Sequence, residues 1–427
     1  MFDPRTYEAG VPYDTFRRLR AETPVAWIDE PAVLGWPAGP GYWAVTAHAD
    51  VKAVLRDAAT YSSAAGATQI RDYQPDDLAY VRRQMLNMDG REHARIRRLV
   101  SAAFTPRAVR ALDEAIGQRA ALLVAQVEDR EEFDFVTDLA ADLPVSTLAA
   151  VLGVPDSDRY LLYDWSNRVI GYQDDDYAAS AVTDASTVSP MARAALGSRP
   201  SPDRDGRMPN PRSREGMPDL YAYAHALAVY KRRHPGADVM SLLLQAQDES
   251  GAISDEEFEN LFWLFAVAGN ETLRNGMPGA MSALLDHPDQ YRRLIADPGL
   301  VPLAVEESLR WWPPVMHFRR TATCDISVAG VPIGAGDKVV VYHASANRDE
   351  KVFDRPDDFV VDRQPNDHVS FGYGPHFCLG AHLARSQMRA LLFQVVTSLP
   401  ELERAGPPVR LTSNFQNGLK HLLVRTT

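Results

Sequence analysis

Cysteine is nearly absent from the chain: 427 residues contain two, Cys324 and Cys378. So sparse a set excludes a disulfide-stapled secreted scaffold and suits a reducing compartment. Positive charge is in deficit as well, with 45 Lys and Arg against 57 Asp and Glu for a net charge of −12. No general affinity for nucleic acid or an anionic membrane is expected from such a field, although a local basic patch stays allowed. Long apolar runs are missing too. The longest, Leu261 to Gly269, is far short of the ~20 residues of a membrane-spanning helix. The first residues carry Asp3, Glu8 and Asp14 and lack both the basic start and the apolar stretch of a secretory leader. A soluble, cytoplasmic protein with no membrane span is predicted. Even lysine is scarce, five of the 45 cations; the arginine excess reads as codon bias and carries no functional message.

What the chain does hold is ordinary globular composition, 45% hydrophobic and 24% charged. That allows a large core and excludes a disordered, collagen-like or coiled-coil protein. A prior of about 150 residues per domain suggests about three domains, but a single large domain remains allowed. Tyr13 to Glu22 has the spacing of an amphipathic helix, Tyr42 to Thr46 alternates like a strand, and Asp50 to Arg56 returns to helical spacing. Helical patterns dominate from about Pro75 to Leu285. Strand-like segments come late, at Ile326 to Val331 and Lys338 to Tyr342, around the turn-forming Gly334-Ala335-Gly336-Asp337. Strands and helices do not alternate regularly, so a mainly α body with a small β-rich region fits better than a repeating βαβ pattern. Residues 198–219, rich in Pro, Arg, Gly and Ser, read as a mobile loop, either a tolerated surface insertion or a lid.

The chemically informative stretch is Phe371-Gly372-Tyr373-Gly374-Pro375-His376-Phe377-Cys378-Leu379-Gly380, ahead of a helical pattern that begins at Ala381. Glycines and proline force a tight loop and leave Cys378 near a helix N-terminus, where backbone N–H groups and the macrodipole favour a thiolate. Such a sulfur is a nucleophile or a ligand. A structural zinc site needs about four Cys or His ligands, and although His376 and His382 are close in sequence, no second Cys is. A thiol nucleophile needs a His and an orienting group that the fold must bring. Thiolate ligation of haem iron is the third chemistry. A lone Cys beside a glycine turn would otherwise be an inert core residue.

The whole pattern decides among these. Phe371, Gly374, His376, Cys378 and Gly380 stand at all five positions of the loop signature of the cytochrome P-450 haem-thiolate monooxygenases, which this stretch resembles. The resemblance implies haem b with Cys378 as its axial thiolate, Phe371 shielding that side of the iron, and glycines, Gly380 among them, that let backbone N–H groups approach the sulfur.

Three further constellations agree. Ser254-Asp255-Glu256-Glu257 is a capping box opening a helical pattern that runs to about Asp286. Inside it, Ala268-Gly269-Asn270-Glu271-Thr272 resembles the family's oxygen-binding motif. Ala268 and Thr272 share a face, Gly269 would open the backbone groove for dioxygen, Thr272 would hold the hydrogen bond to water or oxygen, and Glu271 would feed protons. A Thr met alone would more simply bond its own i−4 carbonyl. Pro278 should kink the helix beyond the motif. In Pro302 to Trp311, Glu307 and Arg310 resemble the family's Glu-x-x-Arg pair, with Arg363 as the third member of a structural triad. His93 and Arg97 on one helical face, with Arg320 and His376, would bind the haem propionates. Arg319 competes with Arg320, and spacing to Asp325 favours Arg320. Arg91, Arg95 and Arg98 fit a solvated face, or one that docks an acidic ferredoxin.

The resemblance runs from the Tyr42 strand to the Asn414-Phe415-Gln416-Asn417-Gly418 turn and fails around 171–219. It implies a single family domain over 1–427, mainly α, working as a monomer that activates O2 and hydroxylates an apolar small molecule. Electrons would come from a ferredoxin and its reductase. Met85-Leu86-Asn87-Met88-Asp89, the segment from Ala268 to Asn275 and Met316 to Thr321 are similar to the bacterial branch that oxidises steroids, terpenoids and branched lipids. Leu264, Phe265, Val315, Met316 and Phe415 would then line the substrate pocket. A tailoring oxidase of secondary metabolism, acting on a terpenoid or polyketide scaffold, is the alternative. A haem-thiolate sensor or electron carrier is the non-enzymatic one, and it would keep Cys378 with no need of Glu271 and Thr272.

Overall fold

The computed structural model describes residues 1–101, 104, 110–170, 174, 187–202, 204, 208–248, 251–399 and 402–426. It is mainly helical (51%) with small sheets, the class that the sequence predicts. The chain divides into two compact units, Met1–Asp72 with Val109–Leu143 and Thr272–Thr427, and Tyr73–Ala108 with Pro144–Glu271.

The first unit is built on a five-stranded sheet in the order Val25–Ile28, Tyr42–Val45, Lys338–Tyr342, His317–Ala322, Tyr61–Ser62. Its neighbours run antiparallel, except that Lys338–Tyr342 lies parallel to Tyr42–Val45. Alternate residues of Lys338–Tyr342 enter opposite cores, Val339 and Val341 one and Val340 and Tyr342 the other. Burial on both faces is why this strand reads as an unbroken apolar run. His317–Ala322 is buried almost throughout for the same reason, although its polar residues hid it from a hydrophobicity pattern. Ile326 to Val331, read as one strand, is instead a hairpin of Ile326–Val328 and Val331–Ile333. Ala329 and Gly330 turn it with φ of 50° and 81°, the left-handed pair that a two-residue hairpin turn requires.

The second unit is mainly helical and includes Pro75–Val81, Gly90–Ser101, most of Asp142–Leu152, Arg159–Ile170, Pro190–Leu196, Pro218–Arg233, Val239–Gln245 and the start of the 32-residue helix Asp255–Asp286, with one small hairpin of Gln247–Asp248 and Gly251–Ala252. Trp165, Tyr223 and Phe262 meet with ring centroids 5.3–6.0 Å apart, tying three of these helices together. Ser254 and Glu257 form the expected capping box: Ser254 N–H donates to the Glu257 carboxylate at 2.8 Å and Glu257 N–H to the Ser254 hydroxyl at 3.1 Å. The helix continues through Pro278.

Within 198–219, residues 203 and 205–207 lie outside the described residues, and the described ones before Pro218 form no helix or strand. The far end of this loop is fastened. Arg214 donates to Glu259 at 2.9 Å, and the buried Asp219 accepts from Trp165 Nε1 at 2.9 Å and from Arg168. One stretch, Phe135–Leu152, is long and apolar enough to cross a membrane by length and composition, and 67% of it is buried inside the protein. Scattered polar residues break it up, so a search for unbroken apolar runs overlooks it.

Candidate active site

Cys378 is exposed and not in a disulfide, and it sits just ahead of the helix Ala381–Ser398. The loop that carries it closes on itself: Cys378 N–H donates to the Phe371 carbonyl at 2.8 Å. Gly372 and Gly374 hold φ of +72° and +71°, and a Cβ on Gly374 would lie 2.5 Å from the Leu55 carbonyl oxygen. Only glycine fits there. At Gly380 a Cβ would meet nothing within 4 Å, so open space borders the backbone just beyond the sulfur.

His376 Nε2 lies 3.3 Å from Ser63 Oγ. Ser62, the residue before Ser63, pairs with Thr321, the residue after Arg320. Arg320 is buried, and its Nη1 donates to the Arg319 carbonyl at 2.8 Å. Arg319 is engaged elsewhere, bonded to Asp72 at 2.6 Å and to the Ile70 carbonyl at 3.2 Å. In the other unit, His93 is buried and Arg97 half-buried on Gly90–Ser101, whereas Arg91 and Arg98 are exposed. Arg95 is not part of a solvated face: it donates to the Glu257 carboxylate, a partner 162 residues away in sequence.

The long helix is buried from Phe258 to Val267 and again from Asn270 to Leu284, except at three positions. Ala268 is exposed, and Gly269 and Thr272 are half-buried. The gap falls on the face that carries Ala268 and Thr272 one turn apart, while Glu271 beside it is fully buried. Gly269 has a packing reason of its own, since a Cβ there would come within 3.0 Å of Leu148 Cδ1.

Glu307, Arg310 and Arg363 come together with almost no solvent. Arg310 Nε and Nη2 donate to the two Glu307 oxygens at 2.7 Å each, and Arg363 Nε adds bonds at 3.1 and 3.2 Å. A second network, which the sequence reading missed, hangs on the neighbouring Glu306. Its carboxylate takes a two-pronged bond from Arg385 at 2.6 and 2.8 Å and one from His368 Nε2 at 3.1 Å. Burial would raise the pKa of Glu306, but the hydrogen bonds from His368 and Arg385 outweigh it and bring it down to about 2. The Arg385 guanidinium lies 4.4 Å from the centre of the Phe371 ring. Placed 79 and 62 residues apart, these partners leave no local trace in the sequence.

Of the expected pocket residues, Val315 bridges to Gln416 and Met316 N–H donates to the Phe415 carbonyl at 2.9 Å, so those two segments lie side by side. The Met316 side chain belongs to the hydrophobic core with Tyr42 and Tyr342. Leu264 and Phe265 are buried in the other unit, Phe265 with its ring 5.5 Å from Phe104.

Among the described residues no three His, Cys, Asp or Glu side chains gather as a metal site. The donor set fits an iron already held by a porphyrin: one soft sulfur on an exposed loop, open space at Gly380, and, as cations for carboxylates, the buried Arg320 and the His376 of the loop itself.

A family model described as cytochrome P450 matches residues 299–400. A steroid C26-monooxygenase of Rhodococcus jostii is 35% identical over 426 residues, which is 99% of this chain and 83% of the relative. A methyl-branched lipid omega-hydroxylase of Mycobacterium bovis is 36% identical over 96% of this chain and 90% of its own length. Among solved structures, a Mycobacterium marinum cytochrome P450 in complex with pseudoionone aligns with a TM-score of 0.84 at 34% identity, covering 99% of this chain and 97% of the other.

Proposed function

The chain belongs to the cytochrome P450 family and is a monooxygenase, and we propose that it hydroxylates a steroid or a methyl-branched lipid with Cys378 as the axial ligand of its haem iron. The observation that carries the reading is the closed loop that presents Cys378 at its exposed end, with open space at Gly380. The names of the steroid and branched-lipid relatives support the substrate class. A ferredoxin and its reductase are the proposed electron donors.

When bound, haem supplies reductive activation of dioxygen and transfer of one oxygen atom into a C–H bond. The chain does the rest. The Phe371 carbonyl, holding Cys378 N–H, fixes the sulfur, and the start of Ala381–Ser398 favours its thiolate form. Arg320 and His376 are assigned the propionates, where charge-assisted bonds orient the ring. Thr272 Oγ1 holds a proton at the open face of the long helix, and the Glu271 carboxyl supplies it from the buried flank of the same turn. Val315 and Phe415 offer an apolar wall that orients the substrate and excludes water.

The test is an optical titration of the purified protein. The reduced carbon monoxide complex should give a thiolate-type Soret band that Cys378→Ser abolishes and Cys324→Ser leaves intact. Steroids and methyl-branched lipids should then move the iron from low to high spin, and terpenoids and polyketides should not. A band that survives Cys378→Ser sinks the ligand assignment. A response to polyketides or terpenoids alone replaces the substrate class with a secondary-metabolite scaffold.

A further inference from the structure

We propose that Glu306 is a positioning residue that clamps both ends of the Cys378 loop and, through Arg385 and Phe371, sets how strongly the sulfur donates to its iron. The proposal rests on the reading that Cys378 is the ligand. Glu306 lies on Val301–Trp311 and reaches His368, ten residues before Cys378, and Arg385, seven residues after it. The loop is therefore gripped from both sides by one carboxylate. Ser370 N–H donates to His368 Nδ1 at 3.3 Å, which makes Nδ1 the acceptor and leaves Nε2–H to donate to Glu306.

From this clamp a short path leads to the sulfur. The Arg385 guanidinium covers the Phe371 ring at 4.4 Å, and the His368 ring lies 6.0 Å from it. Phe371 in turn holds the Cys378 N–H at 2.8 Å through its carbonyl. Glu307, the next residue, serves a different segment by binding Arg310 and Arg363. Two adjacent carboxylates on one helix thus divide the work between the loop that bears the cysteine and the segment that precedes it.

The charges make the idea testable. Glu306 and Arg385 neutralise each other in a setting where their side chains are 27% and 24% exposed, so removing either leaves a net charge close to the loop in a medium less screened than water. In the haem-loaded protein, Glu306→Gln should leave the Arg385 cation uncompensated, favour the more negatively charged reduced state, and shift the reduction potential upward. Arg385→Gln should shift it downward, and the double variant should return toward the unmodified value. Arg385→Lys, which keeps the charge and loses the fork, should leave the potential near that of the unmodified protein. It should also speed amide hydrogen exchange over 371–378.

A merely structural Glu306 would lower the melting temperature and move both Gln variants the same way, or not at all, and either result overturns the proposal. Unchanged exchange over 371–378 in Arg385→Lys overturns the clamp, even if the Gln variants fail to fold. Cys378→Ser in the same series separates the two ideas. A thiolate band that survives it refutes the ligand reading itself, whatever the Glu306 variants do.

Discussion

Glu307 and Arg310 meet one turn apart on the same helix, both oxygens of one bonded by Nε and Nη2 of the other at 2.7 Å, and neither side chain touches solvent. The pair is an anchor for a remote stretch of backbone. Val360 N–H donates to Glu307 at 2.9 Å, and Arg310 donates to the carbonyls of Asn347, Pro356 and Asp358 at 2.8–3.0 Å.

Glu307→Gln leaves two buried guanidinium groups, those of Arg310 and Arg363, short of their counter-charge. A cost of about 3–5 kcal/mol is expected, read as a fall in the midpoint of urea unfolding. A loss under about 1 kcal/mol would mean that the carbonyls alone satisfy the arginines.

Thr272→Ala and Glu271→Gln should cut product formation by about 10²-fold or more, the usual weight of a positioned proton donor. Electron uptake should persist, with NADH consumption appearing as peroxide. The ratio of product to NADH consumed checks this, and a ratio unchanged in both variants would assign the gap in the helix to something other than proton delivery.

Two glycines of the Cys378 loop should behave oppositely. Gly374→Ala must hold a side chain at φ +71° against the Leu55 carbonyl, a cost of about 1–2 kcal/mol from the backbone alone, and thermal unfolding should show at least that. Gly380→Ala meets nothing in the chain, so its stability should change by less than about 1 kcal/mol. Its haem content should fall, because the added methyl would occupy the space assigned to the cofactor.

Acid should weaken the fold through two histidines. Burial, with the neighbouring His343, lowers the pKa of His317 to about 3, and burial lowers that of His343 to about 4. Both stay neutral in the folded chain while the unfolded chain protonates them near the ordinary 6.5. Stability should therefore be constant above about pH 6.5 and decline as the pH drops from there toward 4 and 3. Replacing His317 with Gln should flatten this slope in denaturant titrations run at several pH values.

The sequence by itself determined what depends on local pattern and local chemistry. The cysteine loop could be read because its glycines answer to backbone angles, as Gly374 does, and the capping box because Ser254 and Glu257 satisfy each other within one turn. The pairing of Glu307 with Arg310 follows from helical spacing. Tertiary structure alone decided the rest. It engaged Arg319 with Asp72, and it placed Arg95 on Glu257 and Met316 in the core. It also joined Glu306 to His368 and Arg385 on either side of the sulfur. Ion pairs between distant residues have no spacing to betray them, and a strand such as His317–Ala322, covered on both faces, loses the alternation that would announce it.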